Sequence, residues 1–311
     1  MNELDLIIFQ ISHKPITTAE ILKKIKTEYK KKVAQKTIYT SIYRLENLGF
    51  ITKKDKGKNI LIQQASIPVT SYLSTLIESY SHLINKGIFK ETSLNILLTL
   101  LHNKHTAKSI ADVAAISLRN TKRYLSKFHK LAIIKKYNKE KFTNEYTWEI
   151  NKINNELMKF LEAYEEFRAL KITKSMDTNA GLVWLNGIEF LIKSQKNIQK
   201  SNFKKTGAAV LERYGLKLLP GDNFFFYTHR KLNIWDHAFL TVISRRQDPT
   251  QLRYLAYLYK KHTPDEIEFK SKGNYYDKKA MKSVIDLFHN KKESSELKFK
   301  YIVELEQLYG R

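Results

Sequence analysis

Two sets of cationic and amide side chains recur in this chain, 83 positions apart. Gln35, Lys36, Thr37, Thr40 and Arg44 form the first, and Arg119, Asn120, Lys122, Arg123 and Lys127 the second. In register, Lys36 faces Arg119, Thr37 faces Asn120 and Arg44 faces Lys127, while apolar Leu45, Leu48, Phe50 and Ile51 face Phe128, Leu131, Ile133 and Ile134. The chemistry open to these groups is hydrogen bonding to anions and to base edges. A guanidinium such as that of Arg44 or Arg119 matches guanine bidentately, and a carboxamide such as that of Asn120 matches adenine. Lysines follow each set: Lys53, Lys54, Lys56 and Lys58 after the first, and Lys135, Lys136, Lys139 and Lys141 after the second. Such cations meet phosphates and add affinity without sequence information. Two plainer readings stand beside this one: a solvated helix face used for protein contact, and phosphate contact alone.

The bulk composition points to the same kind of partner. The chain has 311 residues, 55 Lys plus Arg against 31 Asp plus Glu, and a formal net charge of +24. The excess is +8 over 1–90, +6 over 91–150 and +10 over 151–311, so the first 150 positions are the more basic per residue. An AT-rich coding bias would enrich lysine but would not deplete acid, and a uniform positive excess raises encounter rates with nucleic acid or anionic membrane. No cysteine is present, which removes disulfides, thiolate metal sites and a cysteine nucleophile. A polar start at Met1 to Asp5 and no apolar run of membrane-spanning length lead to the expectation of a cytoplasmic, nucleoid-associated protein with no membrane partner.

The elements that must position these residues can be traced from periodicity. Leu4 (within the stretch Leu4, Ile7, Ile8, Ile11) opens a first helix that stops before Pro15; Thr17 and Glu20 form a capping box for a second; Ile38, Ile42, Leu45 and Leu48 mark the buried face of a third. Gly49 is the expected helix stop, and Gly57 the turn of a hairpin from Phe50 to Gln64. The second set repeats the plan: Leu94 to Leu101, then Ser109 to Ile116, then a helix capped by Ser117 that buries Leu125 and Phe128, then a hairpin pairing Ile133 to Tyr137 with Glu145 to Ile150.

Three helices and a basic hairpin, with Leu45-Glu46-Asn47-Leu48-Gly49-Phe50-Ile51 at the junction, resemble the winged helix-turn-helix fold of transcription regulators, PadR-like and MarR-like repressors in particular. The likeness covers about the first 65 residues. It implies a helix in the major groove and wing lysines on the flanking phosphates. The stretch from Thr206 through Ile243 weakly resembles the C-terminal domain of AbiEi-like antitoxin regulators, without a residue-specific motif.

Two apolar stripes connect these parts. Leu73, Leu76, Ile77, Tyr80, Leu83 and Ile84 lie between the repeats, and Ile153, Leu157, Phe160, Leu161, Tyr164 and Phe167 follow the second. Each reads either as packing between domains or as the dimer helix of a homodimer that places two half-sites a DNA turn apart. Beyond them, strongly apolar 181–192, a helix over 206–216, an aromatic strand Phe224 to Tyr227 buried on both faces, and helices near 234–245, 249–261, 276–288 and 295–308 predict an α+β domain.

Enzyme chemistry is sparse. Neither a phosphate-cradling glycine loop nor a dinucleotide fingerprint occurs, and His229, His237, His262 and His289 lack metal-ligand spacing. One arrangement, Asp222 or Asp236 with Glu268-Phe269-Lys270, is similar to metal-dependent nuclease patterns, in which carboxylates hold Mg²⁺ beside a lysine. Its alternation of Ile267 and Phe269 with Glu268 and Lys270 also reads as a half-exposed strand. The expectation is therefore a mainly α protein with small β wings: winged helices over 1–66 and 91–150, connecting helices over 67–90 and 151–178, and a C-terminal α+β domain over 179–311 for effector, partner or dimer contacts. The function expected is sequence-specific binding of double-stranded DNA with no cofactor, no metal and no catalysis. The alternatives are an architectural or replication protein indifferent to sequence, structured RNA as ligand, and the nuclease.

Overall fold

Helix α1 (Glu3–Ile11) forms because Asn2 and Asp5 each accept the other's backbone N–H, and because Leu6, Ile7, Ile8, Phe9 and Ile11 are all buried. The structure, a computed structural model, describes residues 1–57, 59–80, 87–139, 145–218 and 221–310, with the backbone alone at Lys56 and Lys139. Two compact units divide it, Met1–Ile110 with Ile116–Phe167 and Arg168–Arg311 with Ala111–Ala115.

In the first unit one order of elements is laid down twice. After α1 come β1 (Ile16–Thr17), α2 (Thr18–Thr27), α3 (Gln35–Leu48) and a hairpin of β2 (Ile51–Lys56) and β3 (Asn59–Gln64). Thr17 and Glu20 form the reciprocal cap expected of them. Strand β3 pairs antiparallel with both β1 and β2, giving the order β1-β3-β2. Then follow α4 (Pro68–Ser79), α5 (Glu91–Thr99), β4 (His105–Thr106), α6 (Ala107–Ala114), α7 (Leu118–Lys130), β5 (Ile134–Lys139) and β6 (Tyr146–Ile150), with the sheet order β4-β6-β5. The two-residue strands β1 and β4 carry no sequence signal of their own; each is an edge that only the completed hairpin creates.

The junction from helix to hairpin is the same in both copies. Gly49 ends α3 at φ 79°, with its N–H on Glu46 O at 2.8 Å and that of Phe50 on Leu45 O at 2.9 Å. Ala132 follows α7 at φ 54°, with its N–H on His129 O at 2.9 Å and that of Ile133 on Phe128 O at 2.9 Å. The returning strand closes each turn alike, Ala65 N–H onto Phe50 O at 2.9 Å and Asn151 N–H onto Ile133 O at 2.8 Å.

Much of the connecting stripes is buried within the chain, while Ile153 is exposed. Val69, Leu73, Leu76 and Ile77 of α4 are buried, as are Leu157, Phe160 and Leu161 of α8 (Asn155–Met176). Within the first unit Phe50 meets Phe9, Tyr164 and Phe167 with ring centroids 6.1, 6.2 and 6.3 Å away, and Phe89 meets Phe160 at 5.9 Å. Leu73, Leu76, Ile77, Leu157, Phe160 and Leu161 are therefore engaged in packing within the chain. Leu83 and Ile84 lie outside the described residues.

The second unit is built on a four-stranded antiparallel sheet of order β7-β8-β10-β9, from β7 (Gly181–Asn186), β8 (Glu189–Ser194), β9 (Phe203–Thr206) and β10 (Asn223–Tyr227). Successive side chains of a strand point to opposite faces. Phe224 and Phe226 accordingly join one core, with Leu191, Trp235 and Phe239, while Phe225 and Tyr227 join another, with Phe190, Ile192, Phe203 and Ala169. Where a helix over 206–216 is expected, strand β9 runs to Thr206, and α9 (Ala208–Leu211) and a 3-10 turn (Glu212–Tyr214) follow. Gly207 and Gly215, at φ 79° and 87°, bracket the segment and keep it short. Helices α10 (Ile234–Ser244), α11 (Pro249–His262), α12 (Glu266–Tyr276), α13 (Lys278–Asn290) and α14 (Phe299–Tyr309) complete the unit.

Candidate nucleic-acid interface

On α3 the fully buried Ile38, Ile42 and Leu45 fix which side faces outward. That outer side exposes Gln35, Lys36, Thr37, Tyr39, Thr40 and Tyr43. Four of these are among the expected contacts; the two tyrosines are not. A helical wheel locates them, since Tyr39 and Tyr43 stand one turn apart and off the Ile38–Ile42–Leu45 stripe. Gln35 Nε2 donates to the Tyr39 hydroxyl at 3.3 Å, and Thr40 Oγ1 donates to Lys36 O at 3.0 Å.

Arg44 is placed differently from the guanine-reading role expected of it. Its Nη1 donates to both carboxylate oxygens of Asp5, at 3.1 and 2.8 Å, and Asp5 is fully buried on α1. Nη1 of the guanidinium thus helps to hold α3 on α1, a structural role beside the base reading expected of Arg44. Physically, a buried acid beside the helix requires a cation, because leaving it unpaired carries a large desolvation cost.

On α7 the Ser117 side chain accepts the Asn120 N–H, and Thr121, Leu125 and Phe128 are buried. Arg119, Asn120, Lys122, Arg123 and Ser126 are exposed, and Lys127 is half-buried. Positions 36, 37 and 40 of the first copy and 119, 120 and 123 of the second thus sit alike on their helices. The side chains differ, and the second face is the more cationic.

The hairpins carry the lysines expected of them with unequal freedom. Lys53 is paired with Glu46, and Lys54 is exposed. Lys135 and Lys136 are exposed on β5, where the Lys136 ammonium lies 3.5 Å from the Tyr146 ring centroid and 5.5 Å from that of Trp148. Lys104, not among the residues singled out, lies 3.6 Å from the Tyr137 ring centroid and 3.7 Å from Glu149. The Tyr137 hydroxyl donates to Glu149, which holds that phenol above its ordinary range. Lys56 and Lys139 belong to strands by their backbone, and Lys58 and Lys141 lie outside the described residues.

The residues weighed as a nuclease arrangement are each paired within the second unit. Glu268 and Lys270 lie on helix α12, not on a strand: Phe269, Gly273 and Tyr276 are its buried face and Asp265 caps it, a helical period that four alternating residues conceal. Lys270 is paired with Glu266 one turn back, and Glu268 accepts from Asn233 Nδ2 at 2.6 Å. Asp222 is paired elsewhere, with Lys193 at 2.8 Å and Arg245 at 3.3 Å. Asp236 lies in a buried network. It accepts from Arg230 Nη1 at 2.7 Å, from Lys272 Nζ on both its oxygens at 2.8 and 2.9 Å, and from the Tyr276 hydroxyl at 2.9 Å. Burial alone would raise this carboxyl; Arg230 and Lys272 more than reverse that and hold it below the usual carboxylate range. Both Asp236 oxygens are thus engaged by protein donors, and Asn233 contacts Asp236 and Glu268 alike.

Among the described residues no three His, Asp or Glu side chains are grouped to hold a metal ion, and no helix is long and apolar enough to cross a membrane. No family model, curated protein or solved structure matches this chain.

Proposed function

We propose that the chain is a sequence-specific regulator that binds double-stranded DNA through two winged helix-turn-helix modules, with α3 and α7 as the groove helices and β2–β3 and β5–β6 as the wings. The observation that carries this reading is the duplicated junction: one left-handed turn after each helix, at Gly49 and Ala132, sets an exposed polar helix face beside a lysine-bearing hairpin twice over. A major groove about 12 Å wide accepts one such helix, and hairpin lysines alongside it meet phosphates. Arg119 and Asn120 carry base recognition in the second module. Lys36, Lys54, Lys122, Arg123, Lys135 and Lys136 supply charge.

Fluorescence anisotropy with labelled duplexes tests this. Neutralising about 6 to 10 phosphates implies an affinity that falls roughly a thousandfold or more between about 50 and 200 mM salt. A regulator then prefers one selected site over random duplex by roughly a thousandfold or more. Equal affinity for all duplexes instead assigns an architectural role. No binding at low ionic strength overturns the proposal.

A further inference from the structure

The two groove helices present unlike chemistry on a like scaffold. Gln35, Tyr39 and Tyr43 recur one turn apart on the outer side of α3, with Tyr39 51% and Tyr43 62% exposed. The three matched positions of α7 hold Leu118, Lys122 and Ser126, flanked by exposed Arg119, Asn120 and Arg123. Two large rings exposed one turn apart, on the face that also bears Lys36, offer apolar surface to a partner.

Gln35 supplies the first part of one. A carboxamide has two N–H donors and one carbonyl acceptor, and one donor of Gln35 goes to the Tyr39 hydroxyl at 3.3 Å. That contact engages one N–H and leaves the other with the carbonyl, the donor and acceptor pair that adenine N7 and N6 require. The tyrosine rings supply the second part. Their apolar edges suit the thymine methyl group, the apolar feature of the major groove. On α7, by contrast, the Arg119 guanidinium matches the two acceptors of guanine, and Lys122 and Arg123 add charge for phosphates.

We infer that the duplicated scaffold reads an asymmetric duplex, with an A·T-rich half under α3 and a guanine-containing half under α7. This rests on the DNA reading proposed above and adds that the target is not a palindrome or a repeat of one element. The second copy keeps the frame and changes the letters.

Selection of bound sequences from a random duplex pool, with the full chain, decides it. The expected result is one motif with two unlike halves. Tyr39→Lys with Tyr43→Ser, which gives α3 the residues of α7 at these positions, loses the A·T preference and keeps the guanine half, and its affinity for the selected site falls roughly tenfold or more. Tyr43→Phe keeps the motif, because its ring edge remains, whereas Tyr39→Phe, which also removes the acceptor of the Gln35 amide, weakens the adenine preference. Like halves, an unchanged motif in the Lys/Ser variant, or tighter binding of the same sequence as a single strand, where the rings would stack on unpaired bases, overturns the asymmetry and leaves nucleic-acid binding standing. Enrichment of nothing from the pool, together with no loss of binding in Arg119→Ala, overturns the DNA reading and this inference with it.

Discussion

Gly49 and Ala132 occupy one point of a duplicated turn, with φ of 79° and 54°. Glycine adopts that conformation freely, whereas an L-residue with a Cβ is strained there by about 1–2 kcal/mol. Ala132→Gly is therefore expected to stabilise the first unit by roughly 0.5–1 kcal/mol, the relief of strain being partly offset by the greater freedom of an unfolded glycine. Gly49→Ala is expected to destabilise it by about 1 kcal/mol. Urea denaturation followed by circular dichroism measures both; a loss of stability in Ala132→Gly would contradict a shared turn.

The same pair marks what the sequence can disclose. Gly49 announces a helix stop by residue type, and Thr17 with Glu20 and Ser117 with Asn120 announce helix starts, because those signals are local and chemical. Ala132 announces nothing; its turn is legible only through register with the first copy. Helix α12 was hidden because alternation over four residues fits a strand as well as a helix turn, and the deciding partners Gly273 and Tyr276 lie further on. For the candidate interface, exposure of Lys36, Thr37, Arg119 and Asn120 follows from periodicity alone. The capture of Arg44 by Asp5 does not, since 39 residues separate them and only the packing of α1 on α3 joins them.

That capture has a consequence for mutagenesis. Arg44→Ala strands a fully buried carboxylate and is expected to cost about 1–3 kcal/mol of stability, whereas Arg44→Ala combined with Asp5→Leu recovers part of the loss. A double-mutant cycle by chemical denaturation reads the coupling. On DNA, Asp5→Asn and Arg44→Ala are expected to weaken binding in parallel, through the seating of α3. A loss confined to Arg44→Ala, with Asp5→Asn unaffected, would return Arg44 to direct contact.

His102 lends the first unit a pH dependence. Its Nε2 lies 2.8 Å from a Glu165 carboxylate oxygen, and that hydrogen bond raises the imidazole above its ordinary range against the opposing effect of burial. A raised folded-state value means that stabilisation is complete below the unfolded value of about 6.5 and is lost as pH rises through the folded one. The stability advantage of the native chain over Glu165→Gln is expected to shrink as pH is raised from about 5.5 to 8.5. An advantage that is flat or grows over that interval would exclude the charged pair.

His237 works in the opposite sense in the second unit. Desolvation lowers its pKa to about 4, and its Nδ1 lies 3.0 Å from Thr206 Oγ1 inside the core. Folding therefore favours the neutral ring, and stability present above the unfolded value of about 6.5 declines as pH falls toward 4, by roughly 3 kcal/mol in all. His237→Gln is expected to flatten this acid limb of the denaturation midpoint. Parallel acid limbs in the two proteins would assign the dependence to other groups.

Arg230 organises the most heavily buried charges of the second unit. Its Nε and Nη2 donate to the two oxygens of Glu189 at 2.9 and 3.2 Å, and its Nη1 to Asp236 at 2.7 Å, while Tyr275 donates to Glu189 at 2.6 Å. Glu189 and Asp236 are both fully buried, so removal of the guanidinium leaves two carboxylates facing each other's field, answered by the Lys272 cation and by neutral donors such as the Asn233 N–H and the Tyr275 and Tyr276 hydroxyls. Arg230→Ala is expected to cost about 3–5 kcal/mol, enough to unfold the unit near physiological temperature. Lysine keeps the charge but cannot span both carboxylates, because a point ammonium lacks the planar fork, so Arg230→Lys is expected to recover only part of that loss. Arg230→Met with Glu189→Gln and Asp236→Asn removes the charges together and is expected to be more stable than Arg230→Ala alone. Thermal unfolding monitored by tryptophan fluorescence at Trp184 and Trp235 ranks the three, and a triple variant less stable than Arg230→Ala would mean that the charges themselves, rather than their mutual compensation, hold this core.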